Sequence, residues 1–125
     1  MEGNFDMLAA SLRADLRDLA GFVEALAAKL EGALPGRARV KRRRAGLLTG
    51  PKRVQRIELD CSEYRFRLDF DGTTLQARRS LLSNGVALRT DTLQIEEWID
   101  DMAQLLTKDA EASEQGRLAL QKLLG

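Results

Sequence analysis

The first feature of this chain of 125 residues is the absence of histidine. Histidine is the most frequent general base and metal ligand, and many serine and cysteine nucleophiles depend on it. The single cysteine, Cys61, excludes an internal disulfide and a metal site built from several cysteines. We therefore expect a protein that is not an enzyme, with no catalytic centre, no cofactor, no metal site and no small-molecule substrate.

Long apolar runs are also absent. A membrane-spanning helix needs about 20 consecutive apolar residues, and every charge-free stretch of this chain is much shorter. The stretch Met1 to Leu12 contains Glu2 and Asp6, where a secretory leader would be basic. A lone cysteine fits a reducing compartment. These features predict no membrane insertion and a cytoplasmic location, and the abundance of alanine, arginine and leucine favours a bacterial origin.

The net charge of +1 hides a strong separation of charge along the chain. Residues 1–34 contain six acidic and three basic residues, and residues 90–125 contain eight acidic and three basic residues. Residues 35–89 contain fourteen basic and five acidic residues. The two ends are therefore acidic, with net charges of −3 and −5, whereas the middle is basic, with a net charge of +9.

Residues 5–34 have helical periodicity, because large apolar residues recur at intervals of three and four. Several alanines in the same stretch raise its helix propensity. Asn4 or Asp6 is the expected N-cap. The pair Pro35-Gly36 ends the helix, since proline cannot continue it. We predict an amphipathic helix over residues 5–34.

One stripe of this helix alternates intervals of three and four strictly. It consists of Leu16, Leu19, Val23, Leu26 and Leu30, which we call the seam. Such spacing is typical of a helix that packs lengthwise against another helix. Phe22 lies on the flank beside the seam, and we expect one sheet face and one further helix to be too small to cover both. The seam therefore predicts self-association into a homodimer or a higher oligomer.

The middle third changes to a period of two, which is typical of strands. Residues 64–70 give the clearest case, because aromatic and aliphatic residues alternate there with charged ones. Two-residue turns at Ser62-Glu63 and Asp71-Gly72 would put the same set of side chains inward. The pairs predicted from the first turn are Cys61–Tyr64, Leu59–Phe66 and Ile57–Leu68, and those from the second are Leu68–Leu75 and Phe66–Ala77.

Two further strands extend this sheet. Asn84-Gly85 is a strong turn signal between apolar residues. The pairs predicted from it are Leu82–Ala87 and Leu81–Leu88. Residues 37–44 alternate weakly and are rich in arginine and lysine, which discourage unwanted strand pairing at a sheet edge. We predict an antiparallel meander of four or five strands within residues 37–89, with residues 37–44 at one edge.

Helical spacing returns over residues 93–124. Asp91 or Thr92 is the expected N-cap. Trp98, the only tryptophan, lies on the apolar side and is expected to anchor this helix on the sheet. The pattern becomes polar before Gly116. The helix therefore either continues to its end or breaks near Gly116.

These elements predict one α+β domain over residues 1–125, with an N-terminal helix, an antiparallel meander and a C-terminal helical segment. In layout alone it resembles the dimeric chaperones of bacterial secretion systems and the small nucleoid-associated proteins. No motif of either group matches residue by residue, and a shared layout does not imply a shared function.

The cysteine and the acidic residues of the middle third are assigned to packing and turns. Cys61 has the inward parity of its strand, so we predict a core residue and not a reactive thiol. The acidic residues near the strand ends match the spacing of no cation-binding loop. These residues are Asp60, Glu63, Asp69 and Asp71. We expect them to be solvated or to form turns.

Nine basic residues and no acidic residue lie between Arg37 and Arg56. They form what we call the basic segment: Arg37, Arg39, Lys41, Arg42, Arg43, Arg44, Lys52, Arg53 and Arg56. Such a charge would supply the salt-sensitive, sequence-independent part of nucleic-acid binding. Exposed aromatic side chains for base stacking are missing, however. Because the two helical segments are acidic, pairing of the basic segment with an acidic protein surface is the favoured interpretation.

The predicted function is therefore a non-enzymatic protein-interaction module, homodimeric, that acts as an adaptor, a chaperone-like protein or an assembly component. Its predicted partners are a second copy of itself and another protein. The alternative is a sequence-nonspecific nucleic-acid-binding protein that uses residues 37–56.

Overall fold

The structure, a computed structural model, describes residues 18–44, 50–112 and 114–124. Over these residues the elements are α1 (Leu19–Ala33), β1 (Ala38–Arg44), β2 (Lys52–Cys61), β3 (Tyr64–Phe70), β4 (Leu75–Ser83), β5 (Val86–Leu93), α2 (Ile95–Ala112) and α3 (Glu114–Leu124). The strands form one antiparallel sheet in the order β1-β2-β3-β4-β5. The predicted α+β class, with helices before and after an antiparallel meander, is confirmed.

Helix α1 begins at the N-cap Asp18, whose side chain accepts a hydrogen bond of 3.1 Å from the backbone N–H of Gly21. A Cβ on Gly21 would collide with the Asp18 carboxylate, so glycine lets this cap close. The helix ends at Ala33, shortly before Pro35, as predicted. The prediction of one continuous helix over residues 5–34 is wrong, because Asp18 lies within that range and has an extended backbone, with φ −117° and ψ 94°. The predicted caps Asn4 and Asp6 lie outside the described residues.

All three helices contribute to one hydrophobic core on one face of the sheet, which we call the inner face. Trp98 of α2 is completely buried there. Its indole N–H donates a hydrogen bond of 3.1 Å to the carbonyl oxygen of Arg78 on β4. Its ring meets Phe66 of β3 edge to face, with centroids 5.9 Å apart. Trp98 therefore anchors α2 on the sheet, as predicted.

The β2–β3 hairpin has the register predicted from its sequence. Cys61 pairs with Tyr64, and the other two predicted pairs also form. Ser62 has a positive φ of 56°, as a tight two-residue turn requires at its first position. The same inward parity continues across the sheet, which places Phe66 in the centre of the core.

The register predicted for the β3–β4 hairpin is wrong by two residues. Leu68 pairs with Ala77, and Phe70 pairs with Leu75. Four residues form the connection, because the Asp71 carboxylate accepts hydrogen bonds from the backbone N–H groups of Thr73 and Thr74, at 2.9 and 2.8 Å. A shift of two residues keeps every side chain on its predicted face.

The β4–β5 hairpin agrees with the prediction only next to its turn. Asn84 and Gly85 both have positive φ, and the predicted pair of Leu82 with Ala87 forms. A register shift follows, so that Leu81 pairs with Arg89 and not with Leu88. A bulge at Leu88 explains the difference, because one extra residue on β5 is left without a partner.

The start of the C-terminal helical segment is also later than predicted. Asp91 and Thr92 lie in β5, opposite Arg79 and Arg78, and cap no helix. The first backbone bond of α2 runs from the N–H of Trp98 to the carbonyl oxygen of Gln94. Of the two alternatives for this segment, the structure has two helices and not one continuous helix. Helix α2 ends at Ala112 and α3 begins at Glu114, so the division lies before Gly116. None of the described helices is long and apolar enough to cross a membrane.

Replacing Phe66 with alanine tests the central position of this side chain. Phe66→Ala removes a completely buried ring that contacts Trp98, so we expect a loss of about 3–5 kcal/mol in the free energy of unfolding. Chemical denaturation measures this loss. The control Leu118→Ala changes an exposed side chain and should stay within about 0.5 kcal/mol of the wild type. A loss below about 1 kcal/mol for Phe66→Ala would contradict the described core.

Candidate functional site

The face of the sheet opposite the inner face carries no helix among the described residues, and we call it the helix-free face. Side chains alternate along each strand, and cross-strand partners point to the same side. Ala38, Ile57, Phe66 and Ala77 are buried residues of β1, β2, β3 and β4. On each of these strands, the positions that alternate with the buried residues therefore point away from the core. Every paired outward position of β1, β2 and β3 is occupied by a charged residue.

This face is strongly cationic. Its basic residues are Arg39, Lys41, Arg43, Arg53, Arg56, Arg65, Arg67 and Arg78, and its acidic residues are Glu58, Asp60 and Asp69. Eight positive and three negative charges leave a net charge of +5 on one side of four strands. The helices on the other side contain nine acidic and four basic residues. The charge separation along the chain thus becomes a separation between two surfaces of the domain.

Acidic residues of the helices neutralise only part of the basic segment. Arg37 bonds Asp109 of α2 at 2.7 Å, and Arg42 bonds Glu31 of α1 at 2.5 Å. Both arginines lie toward the helices, whereas the outward positions of β1 and β2 have the whole sheet between them and the helix layer. Among the described residues, ion pairs with the protein's own helices therefore involve two of the nine residues of the basic segment.

Two aspartates hold four arginines of the helix-free face in place. Asp60 accepts hydrogen bonds from Arg39 at 3.1 Å and from Arg65 at 2.8 Å. Asp69 lies between two further arginines, with contacts of 2.9 Å to Arg56 and 2.8 Å to Arg67. Each group pairs one negative charge with two positive charges. The arginines are therefore ordered while the groups keep a positive net charge.

The pKa of Asp60 reflects this arrangement. Partial burial favours the neutral carboxyl, but the hydrogen bonds from Arg65 and Arg39 outweigh it and lower the pKa to about 2. The pKa of Asp69 is also lowered, by Arg67 and Arg56 against the effect of burial. Both carboxylates are therefore charged at neutral pH.

Like charges face each other across neighbouring strands of the helix-free face. Arg43 pairs with Arg53, Lys41 pairs with Arg56, and Arg67 pairs with Arg78. Like charges directly opposite one another destabilise a sheet. Asp69 relieves two of these pairs through its bonds to Arg56 and Arg67, but no ion pair with a described residue relieves the pair of Arg43 and Arg53. The sheet therefore holds a repulsion that a bound anion would reduce.

A shallow recess lies where these unrelieved charges meet. It has a volume of about 380 Å³, and Arg43, Arg44 and Arg53 are among its lining residues. Asp71 contributes one acidic side chain to its wall. The recess is a place where an anionic group would contact several cations at once.

Cys61 is a buried core residue, as predicted. Its thiol donates a hydrogen bond of 3.7 Å to the Asp109 carboxylate. Burial, together with the nearby charge of Asp109, raises the pKa of the thiol to about 12. The nucleophilic thiolate is therefore negligible at neutral pH. Among the described residues, no three side chains of the types that bind metals lie together.

The seam lies inside the domain over most of its described length. Val23, Leu26 and Leu30 are buried in the chain's own core, and Leu19 is half-buried. Phe22 is buried as well, so the chain covers both the described part of the seam and its flank. The cover exceeds the one sheet face and one further helix that we expected, because the C-terminal segment forms two helices and α3 contacts α1. Leu16 lies outside the described residues.

Sequence reasoning restricted to residues 37–56 missed three arginines of the helix-free face. Arg65 and Arg67 alternate with the core residues of β3, and Arg78 alternates with Ala77 of β4. This alternation was a usable signal, because outward residues of adjacent antiparallel strands share one surface. The continuous cationic face follows only once all strands are aligned.

Comparisons with models of known families, with curated proteins and with solved structures found no match. The functional proposal below therefore depends on the geometry and charge of the described residues.

The low pKa of Asp60 is testable by NMR titration of its side-chain carboxyl. We expect a midpoint near pH 2, against about 3.9 for an unperturbed aspartate. Because the folded-state pKa is lowered, the ionised group stabilises the fold above about pH 4, and this contribution is lost as the pH falls through about 2.

Two matched variants test whether the neighbouring arginines lower the pKa of Asp60. One removes an arginine that bonds Asp60, and the other removes a cation on a helix. Arg65→Gln removes the shortest hydrogen bond to Asp60, so the midpoint should move toward its ordinary value. Lys108→Gln on α2 should leave it unchanged. A wild-type midpoint near 3.9 would show that the arginines do not hold this carboxylate.

Proposed function

We propose that this protein is a non-enzymatic binding module whose helix-free face binds the phosphate backbone of nucleic acid without sequence preference. The observation that carries the proposal is the net charge of +5 on one continuous sheet surface. Arginine supplies seven of its eight cations, and the guanidinium group matches phosphate through two parallel hydrogen bonds. The acidic helix layer repels a polyanion, which leaves this face as the side for binding.

The composition of the face favours nucleic acid over an acidic protein. The centre of a protein–protein interface is depleted of charge and enriched in aromatic side chains, whereas protein–DNA interfaces are more polar and much more positive. On β1, β2 and β3 every paired outward position is charged, and the aromatic residues of β3 point to the inner face. A protein partner would find no apolar centre on these strands.

The same composition determines the mode of binding. Direct recognition of single-stranded bases depends on aromatic stacking, and Tyr64, Phe66 and Phe70 belong to the core or pack against it. The face therefore contacts phosphates and not base edges. Its affinity should depend steeply on salt and little on sequence.

The protein-interaction module predicted from the sequence remains the second candidate. An exposed apolar pair, Val86 and Leu88, at the β4–β5 end of the sheet favours it. This surface is separate from the cationic centre of the helix-free face, so a protein contact and nucleic-acid binding are compatible.

The test of the proposal removes three cations from the helix-free face. In the variant Lys41→Gln/Arg43→Gln/Arg53→Gln the substituted side chains are exposed and form no ion pair with a described residue, so folding should stay nearly intact. The wild type should retard a mixed-sequence DNA duplex at about 50 mM salt and lose most of that affinity by about 200 mM. The variant should bind more weakly and lower the salt slope by about 2 to 3.

The matched control removes three cations from the helix layer. Lys108→Gln/Arg117→Gln/Lys122→Gln changes the net charge by the same amount, on residues that lie in α2 and α3. It should bind almost as the wild type does. Equal losses in the two variants, or no retardation by the wild type at low salt, would refute the proposed face.

A second experiment increases the charge of the same face. Asp60→Asn/Asp69→Asn removes two of its three acidic groups and frees the arginines that they bond, so binding of the duplex should become tighter and its salt dependence steeper. Glu96→Gln/Glu97→Gln makes the same change of charge at the start of α2. Tighter binding in this control by the same factor would indicate an effect of net charge alone.

A further inference from the structure

The two edges of the sheet differ in how they are protected. The β1 edge presents Arg39, Lys41 and Arg43, and rows of basic side chains prevent unwanted strand pairing. The β5 edge contains Thr90 and Thr92 in the part that follows the bulge. Its large side chains Val86 and Leu88 are 63% and 65% exposed. An open edge of this composition is a template for another strand.

The charges on β5 make it complementary to a second copy of itself. Arg89 and Asp91 are two residues apart and point to the same side, since Arg89 pairs with Leu81 and Asp91 pairs with Arg79. Within one copy Arg89 donates a hydrogen bond of 3.1 Å to Asp91, which also contacts Arg79 at 3.7 Å, so a second copy would extend an existing ion pair. Two identical antiparallel strands are related by a two-fold axis that passes through one residue pair. An axis at Arg89 or at Asp91 would set like charges opposite each other, whereas an axis at Thr90 sets Arg89 opposite Asp91 in both directions.

The length of the strand restricts the axis to the two central residues. The strand extends from Val86 to Leu93, so an axis at Thr90 pairs Ala87 through Leu93 with the same residues of the second copy, and an axis at Arg89 pairs Val86 through Thr92. An axis further from the centre would leave more of the edge unpaired. Overlap therefore leaves two registers, and charge selects the one with Thr90 on the axis.

We propose that two copies of this chain pair antiparallel through β5, with Thr90 on the two-fold axis, and form one ten-stranded sheet. The bulge at Leu88 lies toward the ends of the paired segment, and the pairs nearest the axis use the regular part of β5. Leu88 then lies opposite Thr92 of the second copy. The dimer buries an edge that the isolated chain exposes.

This pairing changes the surface on which the proposed function rests. A two-fold axis that relates antiparallel strands of one sheet is perpendicular to the sheet, so the helices of both copies lie on the same side. The two helix-free faces then form one continuous surface. Its net charge of twice +5 would cover a longer stretch of polyanion than one face does, which increases binding through simultaneous contacts.

Sedimentation equilibrium at micromolar concentration and a cysteine cross-link test the dimer. The wild type should have twice the chain mass of 13.9 kDa. Thr90→Cys should give a disulfide-linked dimer under mild oxidation, because directly opposed Cα atoms lie about 4.5–5.5 Å apart, within the range for a disulfide. The native Cys61 is buried and does not compete.

Thr92→Cys is the matched control on the same strand and the same face. With the axis at Thr90, the two cysteines would be four residue steps apart, about 14 Å, and could not link. Efficient linkage of Thr92→Cys in place of Thr90→Cys would overturn the register. A dimer that neither variant links would overturn pairing through β5.

Added charge on the edge gives an independent readout. Leu88→Lys/Thr92→Lys places like charges opposite each other across the proposed axis, so this variant should be monomeric. Leu118→Lys/Gln104→Lys adds the same charge to exposed positions of α3 and α2 and should remain dimeric. A monomeric wild type would refute the dimer, and retardation of DNA by that monomer would leave the proposed function standing.

Discussion

The packing of all the described helices on one face of the sheet is the constraint on which the rest of the described structure depends. The strands alternate apolar and polar residues, so one face must be buried and the other is free to be charged. Trp98 holds α2 against the inner face through its contact with Phe66 and its hydrogen bond to Arg78. Helices α1 and α3 complete the same layer. Every charged outward residue of β1, β2 and β3 therefore lies on the helix-free face, with the sheet between it and the acidic helices.

This arrangement explains why a nearly neutral chain can present a strongly charged surface. Screening in water weakens the interaction between exposed charges that are far apart, and the acidic helices lie across the thickness of the domain from the arginines. Neutralisation on the helix-free face is therefore local, through Asp60 and Asp69. These two carboxylates order four arginines, while Arg43 and Arg53 remain opposed to each other. In the proposed function, these ordered and mutually repelling cations are the groups that contact the anion.

A broad charged sheet is an unusual site for chemistry but a suitable one for a long ligand. The cations of the helix-free face are spread over four strands. A polyanion can contact many of these cations at once, each weakly. The single thiol, which could have supported chemistry, is buried and held protonated by its surroundings. The seam that was predicted to bring two copies together is used within the chain. Self-association is therefore proposed through an exposed strand edge and not through a helix.

The sequence alone determined the features that depend on neighbouring residues. The period of two identified the strands and their inward parity, the Ser62-Glu63 turn gave the β2–β3 register, and the basic residues of β1 marked an edge. One local feature was not determined in this way. The hydrogen bonds of Asp71 to Thr73 and Thr74 shifted one register by two residues, since a carboxylate can bond several nearby backbone groups and sequence does not specify which. Tertiary structure decided what depends on distant residues. Only the alignment of β1 with β3 and β4 joined arginines far apart in the chain into one surface, because strand order and the side covered by helices are properties of the whole fold.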